Sequence, residues 1–296
     1  MDKVDMAIKR LQTASEMSLQ AYGLPLIITD SGGKDSSVLV DLAIKAKIPI
    51  EIQHSHTTAD APETVYFVRE KFKRLEADGY KVQINKPRYK GEPTSMWKLI
   101  PIKQMPPTRL ARYCCDVLKE QAGKDRMVAT GVRWDESASR ENNRGVYESI
   151  GNKKENRLIL NNDNDAKRML FENCRLKAKR IVNPIVDWKF RDVWDYIQSE
   201  KVTVNPLYSC GWERVGCVGC PLANRKKRMW EFAQYPAFEK LYHLAFENMI
   251  MARKAKGKDA ETDSWAFNNW STPHSVFLWW MEDKNLDGQI NLFDTE

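Results

Sequence analysis

The stretch IITDSGGKDSSVLV, from Ile27 to Val40, sets a short apolar run against a helix-like run, with two glycines, a lysine and three serines between them. Gly32 and Gly33 carry no Cβ, so main-chain N–H groups there approach an oxyanion closely. A helix opening near Ser36 aims its first N–H groups and the positive end of its dipole at the same place. Lys34 adds a point charge, and the hydroxyls of Ser31, Ser36 and Ser37 are donors. The pattern reads as a cradle for phosphate or pyrophosphate built from Ser31, Gly32, Gly33, Lys34, Asp35 and Ser36, with Lys34 as a catalytic charge. Its spacing is shorter than G-x-x-x-x-G-K-[ST], the loop that holds β- and γ-phosphates for γ-transfer.

Working outward, Met1 to about Tyr22 has helical spacing, and Leu24–Thr29 is a short apolar run that reads as a buried strand. Ser36–Lys45 reads as a helix with Val38, Leu39, Leu42 and Ala43 inward, and Ile48–His54 as a second strand. Pro62 opens a helix to about Glu76, Tyr80–Asn85 is a third strand and Asp125–Val132 a fourth. Strands alternating with helices predict an α/β fold with a doubly wound parallel sheet, whose ligand crevice lies at the carboxyl ends of its strands. Glu141–Lys179 is rich in Asn, Lys, Glu and Arg and reads as a charged excursion. Amphipathic helices run on to about Ala255, and the aromatic tail SWAFNNWSTPHSVFLWWMEDKN is expected to pack back on the body. The expected division is residues 1–205 as the nucleotide-binding α/β domain and 206–296 as a helical, cysteine-bearing region.

The 296 residues are 42% hydrophobic and 29% charged, the composition of a globular protein. No apolar run approaches the roughly 20 residues of a membrane helix, and the first residues lack a signal peptide's apolar centre. The chain reads as cytoplasmic, with no membrane partner. A net charge of +7 suggests an anionic partner, nucleotide or nucleic acid. Six cysteines in a reducing compartment read as metal ligands or redox groups rather than disulfides. Cys217-Val-Gly-Cys220 has the spacing that lets two thiolates converge on one centre.

SGGKDS resembles the PP-loop of the ATP pyrophosphatase superfamily, whose members cleave ATP between the α- and β-phosphates and adenylate a substrate. Further segments resemble one branch, the adenylylsulfate and phosphoadenylylsulfate reductases and their relatives. These are HTTADAPETVYFV (His56–Val68), TGVRWDESASR (Thr130–Arg140), NPIVDWKFRDVWDYIQSEKVTVNPLY (Asn183–Tyr208) and GWERVGCVGCP (Gly211–Pro221). They follow the family's order across roughly Leu24 to Pro221. The resemblance implies a PP-loop, adenine nucleotide α-hydrolase-like fold that binds ATP with Mg2+. Arg133 and Arg140 are two guanidiniums able to clamp phosphate, sulfate or pyrophosphate, and the family's stretch contacts the anionic end of the nucleotide. Asp60 and Glu63 are candidates for ribose hydroxyls or Mg2+, with helix capping as the alternative for Glu63.

RYCCDVLK (Arg112–Lys119) resembles the family's R-x-C-C-x-x-x-K, which implies a 4Fe–4S cluster on Cys114, Cys115, Cys217 and Cys220. Cys210 is an alternate ligand, zinc is the alternative metal, and Cys174 reads as a plain residue. The reductases also use a cysteine nucleophile in a C-terminal tail, and no cysteine follows Cys220 here. His56, just past a strand end, is a candidate ligand, while His243 reads as packed. Arg225–Arg228 (RKKR) and Arg253–Lys258 (RKAKGK), with Trp212, Trp230 and Tyr235 nearby, suit either a phosphate backbone with stacked bases or a solvated helix face.

The expected function is an iron–sulfur PP-loop enzyme that adenylates an acceptor for sulfur transfer, in nucleic-acid thiolation or DNA phosphorothioation. Its sulfur donor would be a partner such as a cysteine desulfurase, and homo-oligomerisation stays open. The alternatives are a thioredoxin-dependent sulfonucleotide reductase and a nucleotide-sensing subunit without catalysis.

Overall fold

The structure, a computed structural model, describes residues 2–120, 123, 125–150, 157–161, 179–258 and 270–282. The chain forms two compact units. Unit one takes Met1–His56, Pro62–Asn85 and Gln121–Val215, and unit two takes Thr57–Ala61, Lys86–Glu120 and Gly216–Glu296. The sequence division at 205/206 thus meets a second unit that also draws in 57–61 and 86–120. Cys174 lies outside the described residues.

Unit one opens with α1 (Lys3–Tyr22), β1 (Leu26–Thr29), α2 (Lys34–Lys45), β2 (Ile50–Ser55), α3 (Pro62–Ala77) and β3 (Lys81–Asn85). Each of these elements was legible from its period and its flanking turn residues. The four positions read as inward on α2, Val38, Leu39, Leu42 and Ala43, are all fully buried. Fully burying a side chain such as Leu39 contributes about 1.5–3 kcal/mol, and this apolar stripe fixes α2 against β1.

Seven strands form one sheet in the order β3-β2-β1-β6-β9-β7-β8, with β6 at Met127–Ala129, β7 at Tyr147–Ile150, β8 at Arg157–Leu160 and β9 at Lys179–Val182. β1 pairs in parallel with β2 and β6, and β6 with β9. β7 is antiparallel to both β8 and β9. The charged excursion is therefore corrected in part, because its flanks extend the sheet. Tyr147-Glu148-Ser149 hides a strand behind polar residues, whose groups are satisfied inside. The fully buried Glu148 accepts a hydrogen bond from Asn183 Nδ2 at 2.7 Å and pairs with Arg144 at 3.0 Å. Two further helices, α6 (Ala138–Asn143) and α7 (Phe190–Ser199), belong to this unit.

Unit two carries the two-residue strands β4 (Arg88–Tyr89) and β5 (Glu92–Pro93) and the helices α4 (Met96–Lys103) and α5 (Tyr113–Leu118). It continues with α8 (Arg225–Gln234), α9 (Pro236–Lys254) and α10 (Pro273–Glu282). Its core is aromatic. Trp97 of α4 meets Tyr242 of α9 edge-on at 4.9 Å, which draws 86–120 into this unit, and Trp280 of α10 lies 4.5 Å from Tyr242. Edge and tilted contacts of this kind add to area burial by about 0.5–1.5 kcal/mol each. Of the aromatic tail, residues 270–282 are described and pack within unit two through buried Val276, Phe277, Trp279 and Trp280, and the rest of that stretch lies outside the described residues. Among the described residues, no helix is long and apolar enough to cross a membrane.

Candidate functional site

In unit one the chain leaves β1 at Thr29 and enters α2 at Lys34, so four residues make the turn. Gly32 stands at φ +75°, and a Cβ there would come within 2.9 Å of Thr64 and 3.0 Å of Val68 on α3. Only glycine lets the loop take that conformation so close to its neighbour. The buried Asp30 braces the turn, accepting from Gly32 N–H at 2.8 Å and from the Ser36 hydroxyl at 2.9 Å. Burial alone would raise its carboxyl, but the Lys71 ammonium at 2.6 Å holds it below the usual carboxylate range. Asn205 Nδ2 donates to the Gly32 carbonyl at 3.2 Å and to Thr64 at 3.0 Å. Lys34 N–H, at the first residue of α2, donates to the Tyr208 hydroxyl at 2.9 Å. Burial pushes that phenol up to about 12, so at neutral pH it is a neutral oxygen resting on a helix N-terminus.

The charges named from sequence are placed as follows. Lys34 is buried, with its ammonium 3.1 Å from Asp35 and over the rings of Phe190 and Tyr208. Arg133 is also buried, its Nε 2.6 Å from Asp35 and its Nη1 3.2 Å from Asp135. Arg140 is half-buried and hydrogen-bonded to Glu136. Burial lowers the Arg140 pKa, with Arg214 and Arg144 adding repulsion against the pull of Glu136. Asp35 thus gathers Lys34 and Arg133 beside the loop, and Ser31 is exposed at its rim. Glu63 sits in the first turn of α3 in unit one, whereas Asp60 belongs to unit two, where it accepts from Thr57 N–H at 2.9 Å. His56 N–H pairs with the Asn85 carbonyl at 3.0 Å. Asp30, Lys71, Asn205 and Tyr208 were not singled out from sequence. The N-P-L-Y stretch was quoted as a resemblance, but nothing local shows that its side chains reach a loop 174 residues earlier.

Unit two holds four of the five described cysteines: Cys114, Cys115, Cys217 and Cys220. Cys210 is exposed on a short 3₁₀ turn, Pro206–Cys210, in unit one. The thiols of Cys114 and Cys115 hydrogen-bond to each other, and Cys114 also feels Cys217 and Cys220, which together with burial raise its pKa. Cys115 is driven the other way by Cys114 and by Arg112, whose Nη2 is 3.6 Å from its sulfur. Burial pushes Cys217 up to about 11, with Asp60 and Cys220 adding to it and Lys119 opposing. The Lys119 pKa in turn is raised, first by Cys217.

The C-x-x-C loop is pinned on every side. Val218 N–H donates to the Ala59 carbonyl at 2.8 Å, and the Tyr242 hydroxyl donates to the Val218 carbonyl at 3.1 Å. Gly219 N–H donates to buried Glu231 at 2.8 Å, and the Cys217 thiol to Thr57 at 3.3 Å. Gly219, at φ +70°, has Phe232 2.5 Å from where a Cβ would stand.

This donor set fits a thiolate-held metal centre. Thiolates packed in a partly buried group need positive charge beside them, which Arg112 at Cys115 and Lys119 at Cys217 supply in part.

Residues 25–223 match the family model of the phosphoadenosine phosphosulfate reductase domain. An uncharacterized protein of Methanocaldococcus jannaschii is 29% identical over 247 residues, 81% of this chain and 50% of that protein. The chain thus spans half the length of that curated relative. An adenosine 5'-phosphosulfate reductase of Lysinibacillus sphaericus is 24% identical over 212 residues, 69% of this chain and 76% of that enzyme. A solved structure, the U34-tRNA thiolase NcsA of Methanococcus maripaludis with its 4Fe–4S cluster, is similar at a TM-score of 0.42 and 14% identity. It covers 99% of this chain and 86% of the thiolase.

Proposed function

The chain belongs to the phosphoadenosine phosphosulfate reductase domain family, and from that premise we propose that it is an ATP pyrophosphatase of sulfur transfer, which adenylates an oxygen of a nucleic acid so that sulfur replaces it. The observation that carries this reading is that Cys114, Cys115, Cys217 and Cys220 all fall in one compact unit in a chain that also bears the β1–α2 glycine turn.

The turn holds the triphosphate with Mg2+. The phosphate takes over the Lys34 N–H from the neutral Tyr208 hydroxyl, because a charge-assisted hydrogen bond is roughly twice as strong as a neutral one. As the acceptor oxygen attacks the α-phosphorus, the bond to the β-bridging oxygen breaks and negative charge grows on the departing pyrophosphate. The amides at Gly32, Gly33 and Lys34, the α2 dipole and the Lys34 ammonium meet that charge. Arg133, fixed by Asp35, and Arg140 orient the phosphates or the acceptor. Glu63, in the first turn of α3, is assigned to ribose hydroxyls or Mg2+. A sulfur nucleophile supplied by a partner such as a cysteine desulfurase then attacks the activated atom, and AMP leaves. Cys114, Cys115, Cys217 and Cys220 would hold a 4Fe–4S cluster, which would supply a soft site for sulfur.

The similarity to an adenosine 5'-phosphosulfate reductase favours a second reading, release of sulfite from a sulfated nucleotide with thioredoxin. One experiment separates the two. Anaerobically purified protein is given ATP, Mg2+, radiolabelled sulfide and mixed nucleic acid, and in a second vessel adenylylsulfate with thioredoxin. The first reading predicts ATP-dependent label in the nucleic acid, lost in Cys217→Ser. Sulfite in the second vessel with no label in the first contradicts it.

A further inference from the structure

Cations line the segment of unit two that carries Cys114 and Cys115, and others follow the C-x-x-C in sequence. Arg112 reaches the Cys115 sulfur, and Lys119 follows on the same segment. Arg109 Nε donates to the Pro221 carbonyl at 3.2 Å, which ties that basic loop to the end of the C-x-x-C. From there the chain runs through Asn224, whose side chain caps α8 by accepting from Lys227 N–H at 2.8 Å. Only three exposed residues, Leu222, Asn224 and Arg225, and half-buried Ala223 separate Pro221 from Lys226.

α8 itself has two faces. Arg228, Glu231 and Phe232 are buried, and Arg228 donates to the carbonyls of Trp280 and Met281 at 2.9 and 3.1 Å. Of the RKKR run, one arginine is therefore a structural strut. In the first turn Arg225 and Lys226 are exposed, with Met229 and Trp230 one turn on at 54% and 37% exposure. Spacing of i and i+4 places each cation beside an apolar neighbour on the same face. On the cysteine segment the exposed acids Asp116 and Glu120 stand against exposed Arg109, Arg112 and Lys119, and Arg225 and Lys226 add two more cations, so positive charge prevails.

We propose that this face of unit two, from Arg109 and Arg112 past Cys115 and Cys220 to Arg225, Lys226 and Trp230, docks a single-stranded nucleic acid. The inference rests on the nucleic-acid reading of the function and names the surface that receives the strand. Guanidinium and ammonium groups track the phosphates, and Trp230 with Met229 offers a flat apolar platform on which a base stacks. A purely acidic protein surface would be met by the cations alone. A strand uses the cations and the aromatic in alternation, and it runs past the thiols that face solvent in part.

The test is fluorescence anisotropy of labelled single-stranded DNA and RNA with the full chain across a salt series, comparing wild type, R225E/K226E and W230A. Loss of two phosphate contacts lowers the slope of log affinity against log salt by about 1.4 and weakens binding at least about tenfold. W230A weakens binding about tenfold with the slope unchanged, because stacking is not ionic. Both variants keep the wild-type thermal midpoint and ATP affinity, since neither residue is in the core or the β1–α2 turn. Absence of strand binding by wild type, or equal binding by all three proteins, overturns the inference. So does a charge reversal that spares strand binding but abolishes capture of a cysteine desulfurase. Strand binding with these losses, in a protein that never cleaves ATP, would sustain the surface and sink the catalytic reading alone.

Discussion

Gly32 concentrates the demands of the loop in one position. A side chain there has to adopt a left-handed backbone and also displace Thr64 and Val68. Gly23 provides the control, with φ +64° and nothing within 4 Å of its missing Cβ. Gly32→Ala is expected to cost about 2 kcal/mol or more, from conformational strain plus overpacking, and to weaken ATP binding. Gly23→Ala is expected to cost about 1 kcal/mol from strain alone and to leave ATP binding intact. Thermal unfolding and nucleotide titration of both variants check this, and equal losses would show that the approach of α3 is immaterial. The glycine itself was readable in sequence as an N–H cradle. Asn205 and Tyr208, which hold it from the far end of the unit's sequence, were not, because they act through contacts 173 and 174 residues apart.

Among elements, the tie between the end of β1 and α3 governs the loop. Asp30 is buried, which on its own favours the protonated acid, yet Lys71 wins and keeps it ionised. A carboxyl held below its usual value contributes stability that is present above that value and lost as pH falls through the lower, folded one. Lys71→Met removes the main counterweight to burial and leaves only the Gly32 and Ser36 hydrogen bonds against it, so Asp30 takes up a proton at a higher pH than in the wild type. The variant should lose about 3 kcal/mol or more, the cost of breaking a buried pair. Its ATP affinity should also decline on mild acidification, where the wild type holds steady, and Lys71→Arg should restore the wild-type profile. Identical pH profiles in wild type and Lys71→Met would refute the pairing. Helices and parallel strands of this region were legible because their apolar positions recur at 3.6 or run unbroken. β7 was hidden because Glu148 is buried at 0% exposure with Asn183 and Arg144 as partners, a satisfaction that no local pattern displays.

Over the whole chain, sequence order conceals how the cysteines sort. Cys114 and Cys115 lie about a hundred residues before Cys217 and Cys220, and what unites them is an aromatic core in which α4 packs on α9 through Trp97 and Tyr242. Cys210, only seven residues before Cys217, falls in the other unit. The basic surplus likewise divides by structure, Arg228 and Arg253 serving as struts to main-chain carbonyls while Arg225 and Lys226 face outward. The family pattern pointed to the glycine loop and the four cysteines, and the basic run of α8 was legible too, whereas which of its cations is a buried strut and which are exposed needed three dimensions. The account stands or falls on which phosphate bond of ATP the β1–α2 turn presents for cleavage. Anaerobically purified protein incubated with ATP, Mg2+ and nucleic acid, its products resolved by anion exchange, should yield AMP and pyrophosphate in equal amounts. ADP and inorganic phosphate in their place would contradict it.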